Sequence, residues 1–140
     1  MVRTGSAVWK GGIMDGKGEV SLESGVLKGA QYSFSSRFES GIGTNPEELL
    51  GAAHAGCFSM ALSATLNGAG LSPESIETSA KVSVVKDGEG FVINKVHLDV
   101  TASIPGASDQ QFQELATAAK ENCPVSKLFN AEITMNAQLK

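Results

Sequence analysis

Asn45-Pro46-Glu47-Glu48-Leu49-Leu50-Gly51-Ala52-Ala53-His54-Ala55-Gly56-Cys57-Phe58-Ser59-Met60-Ala61-Leu62-Ser63-Ala64-Thr65-Leu66 is the stretch whose reading decides the fold. Its start carries helix-initiating features. Asn45 suits an N-cap, Pro46 fits the first helical position, and Glu47 and Glu48 place negative charge in the first turn. Asn45 and Glu48 also have the spacing of a capping box. From Leu49 to about Leu66 nearly every residue is apolar or small, so the helix has little polar face. That pattern predicts burial on most sides. A 140-residue chain has limited interior for such a helix, and a second subunit is expected to cover part of it. Asn67-Gly68 and Gly70 end it.

The flanking segments read as strands. Val8 and Trp9 precede a Gly-rich turn, and Glu19–Glu23 alternates Val20 and Leu22 with polar neighbours. Gln31–Phe38 alternates again, which puts Arg37 on a strand, on the face opposite Tyr32 and Phe34. After the helix, Glu77–Lys86 and Val92–Ile104 alternate across a turn at Asp87-Gly88-Glu89-Gly90, the pattern of a hairpin. Ser108 or Asp109 caps a second helix over Gln110–Glu121, with Phe112, Leu115, Ala116 and Ala119 at helical spacing. Cys123-Pro124 closes it, Val125–Phe129 forms one more turn, and Ala131–Leu139 is a last strand. The expected architecture is α+β: one domain over residues 1–140, with antiparallel sheet and a long buried central helix.

Composition narrows the partners. The chain has 41% hydrophobic and 19% charged residues, a net charge of -4 and a pI near 5.1. Its eleven Lys and Arg are scattered, which argues against nucleic acid or an anionic membrane. No uninterrupted apolar run approaches the ~20 residues that span a bilayer. The first ten residues lack the apolar core of a signal peptide. A cytoplasmic location is therefore expected, where thiols stay reduced and a structural disulfide is a poor default. Cys57, Cys123, His54 and His97 show no metal-ligand spacing, so a zinc site is weakly supported.

Each chemistry-bearing residue admits a plain reading beside a functional one. Cys57, in the middle of the apolar helix, is either a small core hydrophobe or a nucleophile. As a nucleophile it needs a cation beside it, because an apolar setting raises a thiol pKa. His54, three residues earlier, and Arg37 are the candidates. Cys123 precedes a proline and so stands at a helix end with some freedom, as a resolving thiol requires, or it has no role at all. Glu47 lies ten positions before Cys57 on the same helix, roughly 15 Å along the axis. It either complements the helix dipole or acts on another subunit's thiol. His54 is most simply hydrogen-bonded structure, His97 a surface residue, and Trp9 core.

Three segments then carry a family resemblance: Ser24-Gly25-Val26-Leu27 with Arg37-Phe38-Glu39, Gly43 through Ser63, and Cys123-Pro124-Val125-Ser126 with Ala131-Glu132-Ile133-Thr134. Together they resemble the osmotically inducible protein C (OsmC) family. His54 is closer to its OsmC branch than to the organic hydroperoxide resistance (Ohr) branch, which tends to carry Tyr there, and Gly56 stands where Ala is expected.

The resemblance implies an intertwined homodimer with active sites at the subunit interface. It implies a peroxidatic thiol at Cys57, a resolving thiol at Cys123, and an arginine and a glutamate matching Arg37 and Glu47. It implies no metal or organic cofactor, an organic hydroperoxide as substrate, and an external dithiol as reductant, a dihydrolipoyl group in the Ohr branch. Since Glu47 cannot reach its own Cys57, a composite site is expected, with both cysteines from one chain and Arg37 and Glu47 from the other. Two rival readings use the same residues: a thiol redox sensor that is oxidised once, and a small-molecule binding protein with inert thiols.

Overall fold

A computed structural model describes all 140 residues. The elements run β1 (Gly5–Lys10), β2 (Lys17–Leu22), β3 (Ala30–Tyr32), α1 (Phe34–Phe38), α2 (Pro46–Gly68), β4 (Ser75–Asp87), β5 (Gly90–Ser103), α3 (Asp109–Asn122), α4 (Pro124–Leu128) and β6 (Glu132–Leu139). They form two compact units, Met1–Leu49 and Leu50–Lys140. The class is α+β, as the sequence predicts.

In the first unit β1, β2 and β3 make an antiparallel sheet in that order. Trp9 and Tyr32 both pair with Gly18, from opposite sides. Their rings close over it with centroids 5.4 Å apart, and a Cβ on Gly18 would collide with both. This is the cross-strand use of an aromatic to cover a strand glycine. Trp9 is accordingly half-buried in this small sheet and takes no part in the main core.

The predicted strand over Gln31–Phe38 is a correction. Only Ala30–Tyr32 is extended, and the chain then turns into α1. Ser33 and Ser36 form a reciprocal cap, with Ser36 N–H donating to Ser33 Oγ at 3.1 Å and Ser33 N–H to Ser36 Oγ at 2.8 Å. Serines compete well for nearby backbone groups, and here that local bonding overrides the period-2 pattern. Arg37 thus stands on a helix turn.

In the second unit β4 and β5 form a long hairpin closed by Gly88-Glu89, with Gly88 at φ +58° and Glu89 at negative φ. A two-residue loop with only its first member at positive φ is a II′-type turn. β5 keeps strict alternation: Val96, Leu98, Val100 and Ala102 are buried and their neighbours are not. β6 pairs with β5 in parallel, Lys95 opposite Glu132 through Ala102 opposite Leu139, so the sheet β4-β5-β6 is mixed rather than purely antiparallel. The helices α3 and α4 occupy the connection that a parallel pair needs.

The central helix α2 buries Gly51, His54, Phe58, Leu62 and Leu66, a stripe at spacings of three and four. Phe58, Leu62 and Leu66 join Leu98 and Val100 of β5 with Phe112, Ala116 and Ala119 of α3 in one core. Close approach to β4 is possible because Gly51 has no side chain: a Cβ there would sit 2.9 Å from the carbonyl oxygen of Ala80. At 23 residues α2 is long and apolar enough to cross a membrane, which corrects the expectation that no segment reaches spanning length. Yet it packs in one core with an open sheet, and unpaired sheet edges have no place in hydrocarbon.

Candidate active site

The start of α2 fixes the first group of candidate residues. Asn45 caps it as predicted, its Oδ1 accepting from Glu48 N–H at 2.8 Å. The Glu48 carboxylate does not close a capping box; it accepts from Thr44 Oγ1 at 2.5 Å. Asn45 Nδ2 donates to Ser36 O at 3.2 Å, tying the helix start to α1. Glu47 then faces Arg37. Its Oε1 accepts from Arg37 Nη2 at 2.7 Å and from Nε at 3.1 Å, and Oε2 accepts from Nε at 3.2 Å. This fork holds the guanidinium more rigidly than one contact would. Phe38 lies against it, its ring centroid 5.0 Å from the guanidinium carbon. Trp9, Ile13, Tyr32, Phe34 and Phe38 line a cleft of about 270 Å³ that also touches Arg37. Arg37 and Glu47, the two residues that the resemblance singled out beside the cysteines, are thus paired, and both belong to the first unit.

The second group lies in the second unit. Cys57 on α2 and Cys123 are both free thiols, with their Sγ atoms 2.9 Å apart. Cys57 is half-buried and Cys123 has no exposed surface. Proline explains the place of Cys123 but not its freedom. It is the C-cap of α3, donating its N–H to Ala119 O at 2.9 Å, and also the N-cap of α4, with Pro124 at the first helical position. Its backbone thus joins the end of α3 to the start of α4.

Electrostatically the thiols are unequal. Burial pushes the Cys57 thiol up, and its hydrogen bond to Cys123 adds to that. Burial acts on Cys123 in the same sense, but hydrogen bonds from Cys57, from the backbone and hydroxyl of Ser126 and from the backbone of Val125 overrule it. They hold its pKa below the ordinary thiol value. The two protons belong to the pair rather than to either sulfur. No cation stands among the groups that shift either thiol.

His54 does not face Cys57 as a polarising group. It is fully buried on the inward stripe of α2, and its Nε2 lies 2.7 Å from Ser126 Oγ. Its ring also packs on Phe129, centroids 5.4 Å apart. Ser126 is the polar residue that sequence reasoning passed over: it lies 72 positions from His54, and no local pattern pairs the two. His97 is half-buried, bonded through Nδ1 to Thr134 Oγ1 at 2.6 Å and 3.3 Å from Asp99.

Comparisons with known proteins agree with one another. A family model described as OsmC-like protein matches residues 39–138. The chain is 51% identical to peroxiredoxin OsmC of Escherichia coli (strain K12) over 138 residues, 99% of this chain and 96% of that protein. It is 30% identical to the organic hydroperoxide resistance protein OhrB of Bacillus subtilis (strain 168) over 88% of this chain and 89% of that one. The crystal structure of OhrB of Bacillus subtilis superposes with a TM-score of 0.68 at 27% identity, covering 98% of each chain.

Proposed function

We propose that this chain, which belongs to the OsmC-like protein family, is a thiol-dependent peroxidase that reduces organic hydroperoxides to alcohols. One observation carries the assignment to residues: two free thiols, Cys57 and Cys123, stand 2.9 Å apart at the heart of the fold. The names of the relatives support the reaction class, since one is a peroxiredoxin and the other confers organic hydroperoxide resistance.

The Cys57 thiolate attacks the distal peroxide oxygen; the O–O bond breaks, the alcohol leaves, and Cys57 holds a sulfenic acid. Cys123 then attacks that sulfur, expelling water and closing a disulfide. An external dithiol, such as a dihydrolipoyl group, reduces the bond by exchange. Before the first step Cys57 must lose its proton although its surroundings oppose that. Arg37, oriented by Glu47, is the cation that supplies the missing stabilisation. Because Glu47 stands about 15 Å along α2 from the Cys57 of the same helix, Arg37 and Glu47 serve the cysteines of a partner chain in a homodimer. The aromatic cleft beside Arg37 supports an alkyl or aryl peroxide over hydrogen peroxide. Free thiols suit a reducing cytoplasm, the proposed location.

Steady-state consumption of cumene hydroperoxide with dithiothreitol or dihydrolipoamide tests this. Wild type is expected to turn over repeatedly. Cys57→Ser is expected to be inactive, and Cys123→Ser to turn over more slowly, because its sulfenic acid then waits for the external dithiol. Retention of activity in Cys57→Ser would overturn the assignment, and a single stoichiometric oxidation of wild type would favour a sensor.

A further inference from the structure

The two thiols differ in what can reach them. Cys123 has no exposed surface and belongs to the core of its unit, with Phe112, Ala116 and Ala119 of α3. Cys57 packs against that core and is half-buried, its Sγ 2.9 Å from that of Cys123. The line from Cys123 to Cys57 therefore runs from a sealed residue to a reachable one. Thiol–disulfide exchange is an in-line displacement, in which a thiolate approaches one sulfur from the side opposite the bond that breaks. On Cys123 that approach leads through core side chains. On Cys57 it leads from the side that the peroxide uses.

We propose that the reductant enters on Cys57 alone, and that the buried Cys123 is the residue that selects a dithiol over a monothiol, by attacking back. The inference rests on the roles given to the two cysteines above. A reductant thiolate attacks Cys57 Sγ and forms an S–S bond with it. The Cys57–Cys123 bond breaks, and Cys123 leaves with the electron pair and takes up a proton. Cys57 now carries a mixed disulfide, and Cys123 stands beside it with no other partner to react with. The return attack of Cys123 on Cys57 Sγ expels the reductant and restores the starting disulfide. A monothiol escapes this only through a second collision, whereas a well-placed intramolecular group acts at an effective concentration far above that of any free thiol. A dithiol competes on equal terms, because its second thiol is intramolecular as well. That thiol attacks the reductant's own sulfur in the mixed disulfide, closes a ring, and releases Cys57 as a thiolate. Two electrons have then passed from the dithiol to the protein.

Cumene hydroperoxide consumption is to be compared with 2-mercaptoethanol and with dithiothreitol in wild type, Cys123→Ser and Cys123→Ala. Wild type should turn over with dithiothreitol and barely with 2-mercaptoethanol. Without Cys123 there is no return attack, so 2-mercaptoethanol should support turnover roughly tenfold or more faster than in wild type. The two substitutions at position 123 should agree, and either one carries the test if the other fails to fold. Entry on Cys57 is read from single-thiol variants mixed with the disulfide of 2-mercaptoethanol and followed by mass. Cys123→Ser, which keeps only Cys57, should take the group in the native state. Cys57→Ser, which keeps only Cys123, should take it only in urea. Equal native rates in those two variants, or a wild type served as well by 2-mercaptoethanol as the position-123 variants are, would overturn the inference while leaving the peroxidase assignment intact. A wild type that consumes no hydroperoxide with either reductant would overturn both.

Discussion

Arg37 and Glu47 are joined by three hydrogen bonds between one guanidinium and one carboxylate. Their value is geometric. A lysine at position 37 would keep the charge but lose the fork, and an arginine without Glu47 would keep the donors but lose their aim. Arg37→Lys and Glu47→Gln are each expected to lower kcat/KM for cumene hydroperoxide by roughly tenfold to a hundredfold. The double variant should lose little more than the worse single one, because both act through one guanidinium. Full additivity in that cycle would mean that the residues work independently. His54 supports a prediction about stability. Its folded-state pKa is depressed by burial, so the unfolded chain takes up the proton more readily. The stability it contributes is complete above the unfolded value near 6.5 and is lost as pH falls below that. Urea midpoints should therefore drop between pH 7.5 and pH 5 in wild type, and that drop should be smaller in His54→Gln.

Elements differ in how plainly the sequence announces them, and α2 and β5 show the clear end of that range. The start of α2 is legible because Asn45, Pro46, Glu47 and Glu48 each favour a helix N-terminus for a separate reason. β5 is legible because one of its faces is wholly buried, which enforces alternation. The parallel direction of β6 is not legible, since a period of two has no polarity along the chain. The same ambiguity hid α1, where Tyr-Ser-Phe-Ser-Ser-Arg-Phe satisfies an alternating strand until Ser33 and Ser36 cap each other. At the site, Cys57 and Cys123 were legible as a pair, but the partner of His54 was not, because 72 positions separate Ser126 from it. Two glycines of α2 make the helix testable as an element. Gly51→Ala would push a Cβ to 2.9 Å from the Ala80 carbonyl oxygen, backbone that cannot swing aside. It should cost about 1–3 kcal/mol by denaturant melts. Gly56→Ala meets nothing of its own chain within 4 Å, so it should cost the fold less than Gly51→Ala does. Equal effects at the two positions would refute the view that only the inward stripe of α2 packs against its own chain.

At the scale of the whole molecule, the exposed side of α2 is as apolar as its buried side. Ala53, Gly56, Met60 and Ala64 face outward, and Met60 is 76% exposed. A second copy of the chain is the proposed cover for that face, and it would also bring the cation that Cys57 lacks. Met60→Glu is expected to yield monomers by light scattering and to abolish turnover, although its own thiol pair stays intact. Loss of dimer alone would not say which chain supplies which residue, but mixing two inactive variants would. Cys57→Ser retains Arg37 and Glu47, whereas Arg37→Ala retains both cysteines. Refolded together, half of the dimers are mixed, and in a composite arrangement each mixed dimer has one complete site. Activity should then return to roughly a quarter of wild type per chain, from two proteins that have almost none alone. If Arg37 served the cysteines of its own chain, the mixed dimer would contain no complete site and mixing would restore nothing.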